Sequence, residues 1–361
     1  MPLTVFLRQT RALALLTVAV AAALGACGGG STPGPAVSVP PVTVAPSVDP
    51  TKQAAPTPVV PARWPLTGVA AADVAVRPAL AIKVENPPEV RPQTGIDQAD
   101  IIWEEVVEGG ITRFVAIFQS QVPDQVGPIR SVRPMDPAIV SPMHGLIAFS
   151  GGQPKFVAAL SAAAVQTLSQ DGGGAGFARS NVRAAPHNVF GTPTTFWNQA
   201  DADHKASPPE QFHFARTADQ ATAVVSGTAA AAVNLQLSGM SHPSWAWNAA
   251  DSTWLRSESG APATAASGAR LAVTNVIALS VTLVDSGTVD PAGNPVPETK
   301  LVGSGTALVA TGGKSIAATW TKTATNAPLT LATADGTDIK LAAGKTWVEL
   351  VPNGSGSMSA S

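Results

Sequence analysis

Two apolar runs, Ile101-Ile102-Trp103 through Val107 and Phe114-Val115-Ala116-Ile117-Phe118, are joined around Glu108-Gly109-Gly110. Glycines at such a junction supply the positive φ that a tight turn demands, so residues 100–119 read as an antiparallel hairpin. Both faces of both runs are largely apolar, which places the hairpin centrally in a sheet covered on each side. Glu104 and Glu105 interrupt the first run. Successive strand residues face opposite ways, so one of these carboxylates points into each covered face. Burial of a carboxylate is costly unless it is paired or hydrogen-bonded. Arg113, on the return strand, is the cross-strand partner expected from position. Glu104 and Glu105 then read either as site carboxylates with a shifted pKa or as half of a structural ion pair.

Around this hairpin the pattern is mixed. Ala79–Val84 and Leu146–Ser150 read as strands, and Pro134–His144 as a short helix limited by Pro137 and Pro142. Lys155–Leu168 reads as a helix, with Phe156, Ala159, Leu160, Ala163 and Ala164 at helical spacing, and Thr192–Asp201 as a shorter one. After about Pro208, closely spaced strand-like runs alternate with Gly, Asn, Asp and Pro turns such as Asp290-Pro291-Ala292-Gly293-Asn294. The expected fold class is α+β. A mixed α/β N-terminal domain over residues 63–207, with a central hairpin-containing sheet, precedes a mainly antiparallel β C-terminal domain over residues 208–354, and residues 355–361 are expected to be a disordered tail.

The N-terminus gives an address. Arg8 and Arg11 precede the apolar segment Ala12–Leu24, and Leu24-Gly25-Ala26 leads to Cys27, the only cysteine of the 361-residue chain. The apolar run is shorter than the ~20 residues of a spanning helix. Residues 1–26 read as a lipoprotein signal peptide, with Cys27 as the lipidated, palmitate-bearing N-terminus of the mature chain. Residues 27–62 are Pro-, Gly- and Ser-rich and read as an extended tether. The expected localisation is the cell membrane, lipid-anchored on its extracytoplasmic side. With Cys27 acylated, no intrachain disulfide can form, so stability must come from buried apolar area. The composition, 45% hydrophobic with a formal net charge of -2, fits a globular chain and argues against a nucleic-acid partner.

Two further segments could carry chemistry. Arg130 and Arg133 lie in Gly127-Pro128-Ile129-Arg130-Ser131-Val132-Arg133-Pro134, and Arg179, Arg183 and His187 in residues 179–188. Guanidinium groups suit phosphates and carboxylates through paired hydrogen bonds. With Arg113 they define a candidate anion-binding cleft, for which Asp100, Glu104, Glu105 and Glu108 are candidate carboxylates. The alternative is a set of separate surface and salt-bridge arginines. His187 could also serve as a general acid or base oriented by Asn188 or a glutamate. The remaining histidines lack i,i+4 pairing and cysteine neighbours, so no metal site and no cofactor is expected. Gly313-Lys314-Ser315 and Gly344-Lys345-Thr346 mimic the end of a phosphate loop, but Leu308 and Ile339 stand where its first glycine belongs.

Pro65-Leu66-Thr67-Gly68, Arg91-Pro92-Gln93-Thr94-Gly95, Glu108-Gly109-Gly110-Ile111-Thr112-Arg113-Phe114, Gly127 through Pro134 and Pro186-His187-Asn188 resemble segments of the YerB-like bacterial lipoproteins. The similarity continues through Thr274-Asn275-Val276 and Gly344-Lys345-Thr346-Trp347-Val348. It implies lipoprotein character and two domains of unknown function, and supplies no reaction. A second similarity, in residue order alone, is to cell-wall glycopolymer transferases of the LytR-CpsA-Psr type. The expected function is recognition of an anionic cell-envelope ligand or scaffolding of envelope proteins. The alternative is a phosphoryl or glycosyl-phosphate transferase or hydrolase in cell-wall assembly, and the sequence leaves open whether the chain is an enzyme.

Overall fold

The hairpin forms as its pattern demands. In the computed structural model, which describes Val44 and residues 61–361, β2 (Ile101–Val106) and β3 (Thr112–Phe118) pair antiparallel behind β1 (Leu80–Glu85). Gly109 and Gly110 take φ of 69° and 75° at the turn, a conformation that costs other residues a steric clash. The signal sequence, Cys27 and nearly all of the tether lie outside the described residues. β4 (Leu146–Phe149) and β5 (Gln166–Ser169) continue the sheet parallel to β1. α1 (Asp136–Val140) precedes β4, α2 (Pro154–Ser161) lies between β4 and β5, and beyond them come β6 (Phe177–Arg179), β7 (Val189–Gly191) and α3 (Pro193–Trp197).

One sequence expectation changes here. The helix expected over Lys155–Leu168 stops at Ser161, and Gln166–Ser169 is β5. Ala164 adopts φ 53°, which a helix cannot continue through, and Leu168 turns into the apolar face of the sheet.

The C-terminal half supplies β8 (Ala232–Gln236), β9 (Pro243–Asn248), β10 (Thr253–Glu258), β11 (Asn275–Val289), β12 (Pro295–Lys300), β13 (Gly303–Thr311), β14 (Lys314–Lys322), β15 (Thr330–Ala332), β16 (Thr346–Pro352) and β17 (Ser357–Ala360). The main sheet runs β15-β14-β13-β11-β16-β2-β3-β1-β4-β5. Its seam is the parallel pair β2–β16, which sets Ile102 beside Trp347 and Glu104 beside Glu349. The two segments expected as separate domains are therefore knit by backbone hydrogen bonds, and residues 61–361 fall within one compact unit. The α+β class holds, with strands predominating. Residues 357–360, expected in a tail without structure, form β17, which pairs with β8.

Each face of the sheet is covered. On one, Trp103, Val115, Ile117 and Phe149 meet Ile139, Met143, Phe156 and Leu160 of the α1–α2 region, and Val296 of β12. On the other, Ile82, Ile102, Phe114 and Ala116 meet Val233, Trp245 and Trp254 of a second sheet built on β8, β9, β10 and β17. Trp245, Trp254 and Trp347 are fully buried, so tryptophan supplies the aromatic bulk in a chain without tyrosine.

Candidate functional site

The polar residues inside this sheet sort by strand parity. On the α1–α2 face, Lys83 of β1 donates to Glu105 of β2 and, at 2.7 Å, to Asp136 at the start of α1, all three being fully buried. Asp136 Oδ2 also accepts the Arg133 backbone N–H at 2.7 Å. Two carboxylates share one ammonium, and burial together with the Asp136 charge lifts the Glu105 pKa to about 7. On the opposite face Glu104 accepts from Thr112 Oγ1 at 2.7 Å, Arg256 Nη2 at 2.8 Å and Trp347 Nε1 at 3.2 Å. The parity argument thus holds. The partner expected from position does not, because Arg113, though opposite Glu105 in register, sends its Nη1 to Ser131 O at 3.0 Å.

Around Arg256 three carboxylates converge. Glu258 accepts its Nη2 at 2.8 Å, Glu104 does likewise, and Glu349 accepts Trp245 Nε1 at 3.0 Å while its other oxygen is buried without a partner. The guanidinium also lies 5.0 Å from the Trp347 ring centroid and 5.7 Å from that of Phe114. Burial opposes the Arg256 charge, but Glu104, Glu258 and Glu349 outweigh it and raise its pKa. Burial, then the adjacent Glu104, pushes the Glu349 carboxyl well above its ordinary value. This cluster is sealed between the sheets and is structural.

Asp100 also leaves the candidate set. It starts the β2 edge, at the end of the sheet remote from Glu105, and its buried carboxylate accepts the backbone N–H of Gln119 at 2.6 Å and of Ser120 at 2.7 Å, and the Ser120 hydroxyl. It closes the turn after β3. Asp100→Ala is expected to lower the unfolding free energy by about 2 kcal/mol, because two charge-assisted bonds to buried N–H groups are lost. Urea denaturation of the variant checks this.

The arginines separate into three depths. Arg133 Nη2 donates to Glu108 Oε2 at 2.6 Å within an ion pair whose Nε also lies 2.6 Å from Oε1, which ties the β2–β3 turn to the segment before α1. Arg113 is buried beside it, and burial, reinforced by the Arg133 charge, lowers its pKa to about 9, so it keeps its charge at neutral pH. Its Nε is buried without a hydrogen-bond partner.

Nearer the surface, Glu85 at the C-terminal end of β1 lies between two half-exposed groups, with Oε2 3.3 Å from Arg130 Nε and 2.9 Å from His187 Nδ1. Burial raises the Glu85 pKa, while the His187 hydrogen bond and the Arg130 charge hold it down. Arg130 Nη1 reaches Pro186 O at 3.4 Å. On the 180–188 loop, Arg183 Nη2 donates to Pro92 O at 3.0 Å, and Arg179 Nη1 donates to Asn188 Oδ1 at 2.9 Å.

The arrangement is a ledge more than a deep cleft. Arg113, Arg130 and His187 gather about Glu85, where β1 and β4 end and Ser150 N meets Arg130 O at 3.1 Å, and Arg183 reaches the neighbouring Pro92. Gly151 follows β4 at φ 88°; a Cβ there would stand 2.7 Å from Ser131 Oγ and 3.9 Å from Asp171 Oδ2, so the backbone approaches this ledge closely. A groove of about 580 Å³ between α1, α2 and β12, lined by Pro134, Ala138, Ala163 and Leu301, contains none of these arginines. Among the described residues no group of three or more His, Cys, Asp or Glu is placed to hold a metal ion.

Sequence reasoning missed Glu85, Lys83, Asp136, Arg256 and Glu349. A signal existed for the first two, which stand two apart at the end of an apolar strand and so share a face. Asp136, Arg256 and Glu349 reach their partners only through long-range pairing.

Comparison with known proteins places this architecture. Residues 66–206 match the model described as "Protein of unknown function (DUF3048) N-terminal domain", and residues 233–348 match the corresponding C-terminal domain. The chain belongs to this YerB-like family. A relative named "Putative lipoprotein YerB", from Bacillus subtilis (strain 168), is 38% identical over 128 residues, covering 35% of this chain and 39% of the relative's length. A crystal structure of YerB protein from Bacillus subtilis superposes with a TM-score of 0.70 at 25% identity, covering 82% of this chain and 99% of that one. In these family members the activity is unnamed, so the family supports lipoprotein character and membrane association without assigning chemistry. No helix of the described residues is long and apolar enough to cross a membrane.

Proposed function

We propose that this protein is a lipid-anchored, extracytoplasmic lipoprotein that recognises an anionic group of an envelope component on the ledge formed by Arg113, Arg130, Arg183 and His187. The observation that carries the reading is how the arginine charges are held. Arg113, Arg179 and Arg183 donate to the neutral oxygens of Ser131, Asn188 and Pro92, and Arg130 shares the single carboxylate of Glu85 with His187. Arg179 and Arg183 thus hold positioned charge without a carboxylate partner, the condition under which guanidinium groups bind phosphate or carboxylate, while Arg113 lies deeper, beside Glu105 and Glu108. The ledge also lies at the carboxyl ends of the parallel strands β1 and β4, where open sheets present backbone and loops to ligands.

The transferase or hydrolase alternative draws on one observation. Glu85 fixes the His187 ring through Nδ1 and leaves Nε2 without a hydrogen-bond partner among the described residues, the arrangement of an oriented acid–base imidazole.

Calorimetric titration of the unlipidated chain with inorganic pyrophosphate and glycerol phosphate tests recognition. Binding is expected, and Arg130→Ala is expected to weaken it about tenfold or more, the worth of one charge-assisted hydrogen bond. Glu85→Gln, which removes the competing carboxylate charge, is expected to tighten it. Equal affinity of Arg130→Ala and the parent chain would overturn the assignment.

A further inference from the structure

We infer that the loop between β6 and β7 docks the ledge onto an anionic lipid surface, with Val182 entering the headgroup layer and Arg179 and Arg183 meeting lipid phosphates. This rests on the membrane-anchored reading above and names the source of the anion. Val182 is 83% exposed, and Ala184, Ala185 and Pro186 beside it are exposed as well. The loop is nevertheless held in shape. Ser180 N donates to Asn188 O at 2.8 Å, His187 N donates to Ala184 O at 3.0 Å, and Pro92 and Arg130 tie the loop from outside.

Charge separates this apolar tip from three other exposed valines. Val122 stands two residues before Asp124, Val289 beside Asp290, and Val76 three residues after Asp73. Between Asp171 and Asp201 the chain carries no acidic residue, while Arg179, Arg183 and His187 all fall in that interval. Behind the loop lie Arg130 and Arg113. An apolar tip flanked by Arg179 and Arg183, whose guanidiniums donate to the uncharged oxygens of Asn188 and Pro92, complements an anionic bilayer interface, where the side chain enters the headgroup boundary and each of these arginines gains from the negative surface potential. A soluble anion would use the arginines and leave Val182 in water. A lipid surface uses both. A chain tethered at Cys27 stays within reach of such a surface but is left to tumble on it, and the loop gives the ledge a fixed presentation.

The chain's single cysteine makes the test clean. The chain from residue 27 onward, carrying Cys27→Ser and Val182→Cys, is labelled with an environment-sensitive fluorophore. It is mixed with vesicles of phosphatidylglycerol and phosphatidylcholine, with pure phosphatidylcholine vesicles, and with soluble glycerol phosphate. A blue shift, quenched by a bilayer-embedded quencher, is expected on the anionic vesicles alone. Arg179→Ala and Arg183→Ala are each expected to lower partitioning about fivefold. A label at Val76→Cys, beyond the opposite end of β1 and 82% exposed in the parent, is expected to report water throughout. A Val182 label that stays in water on anionic vesicles, or a Val76 label that shifts equally, would overturn the docking. Glycerol phosphate binding that depends on Arg130, with no vesicle insertion, defeats the docking and leaves anion recognition standing. Insertion without any Arg130-dependent anion binding does the reverse.

Discussion

Arg256→Met is expected to lower the unfolding free energy by about 3–5 kcal/mol, because it strips the counter-charge from carboxylates that cannot reach water. Glu104 and Glu349 are fully buried and Glu258 nearly so. The β2–β16 register sets Glu104 directly beside Glu349, so without the guanidinium two like charges oppose each other at the seam that joins the two halves of the sheet. Methionine is shorter than arginine but keeps an unbranched apolar stem of similar bulk, so the loss is of charge more than of volume. Glu349→Gln should restore part of the loss in the Arg256→Met background. In the parent chain it should be neutral or stabilising near neutral pH. The pH dependence has a definite sign. The Glu349 pKa is raised on folding, so the native state holds more protons than the unfolded state above the ordinary carboxylate value of 4.5. Its contribution to stability therefore falls as pH rises from about that value toward the raised pKa, and Glu349→Gln should flatten this slope. Urea unfolding of the parent chain and these three variants across pH measures both effects. A parent-like midpoint for Arg256→Met would remove the cluster from the account of what holds the halves together.

Lys83→Met is the second large expectation, also about 3–5 kcal/mol. It leaves Glu105 and Asp136 facing one another in a fully buried layer. Glu105 shows the strain of that layer even in the parent. Its pKa of about 7 means that the native state binds the extra proton between roughly pH 4.5 and 7, so this group's contribution to stability declines across that interval as pH rises. Glu105→Gln should remove the decline. Glu105→Leu added to Lys83→Met should recover more than half of the loss, because Asp136 keeps its bond from the Arg133 N–H. Failure of the second substitution to recover stability would place the cost in packing instead of charge.

The candidate site was half legible in the sequence. Arg113, Arg130, Arg183 and His187 were singled out by side-chain chemistry; Arg130 and His187 meet at Glu85, and Arg183 bonds to the Pro92 carbonyl. The acid between them, Glu85, was not, because nothing local says that the end of β1 returns to the 127–133 segment and the β6–β7 loop. Asp100 and Glu104 failed as site carboxylates for a related reason. Local pattern places a carboxylate in a strand, but which end and which neighbour it meets depends on pairing across as many as 245 residues, as between Glu104 and Glu349.

The sequence by itself determined the central hairpin, the alternation that sends Glu104 and Glu105 into opposite layers, and the order of a mixed helix-and-strand half followed by a strand-rich half, because turn chemistry and strand parity are properties of adjacent residues. Only the tertiary structure decided that β16 inserts between β11 and β2, that Arg256 and Lys83 neutralise the buried acids, and that the ledge forms around Glu85. Those outcomes depend on desolvation and charge balance among groups brought together by long-range strand pairing, and a linear pattern does not encode which distant charges will share one dry layer.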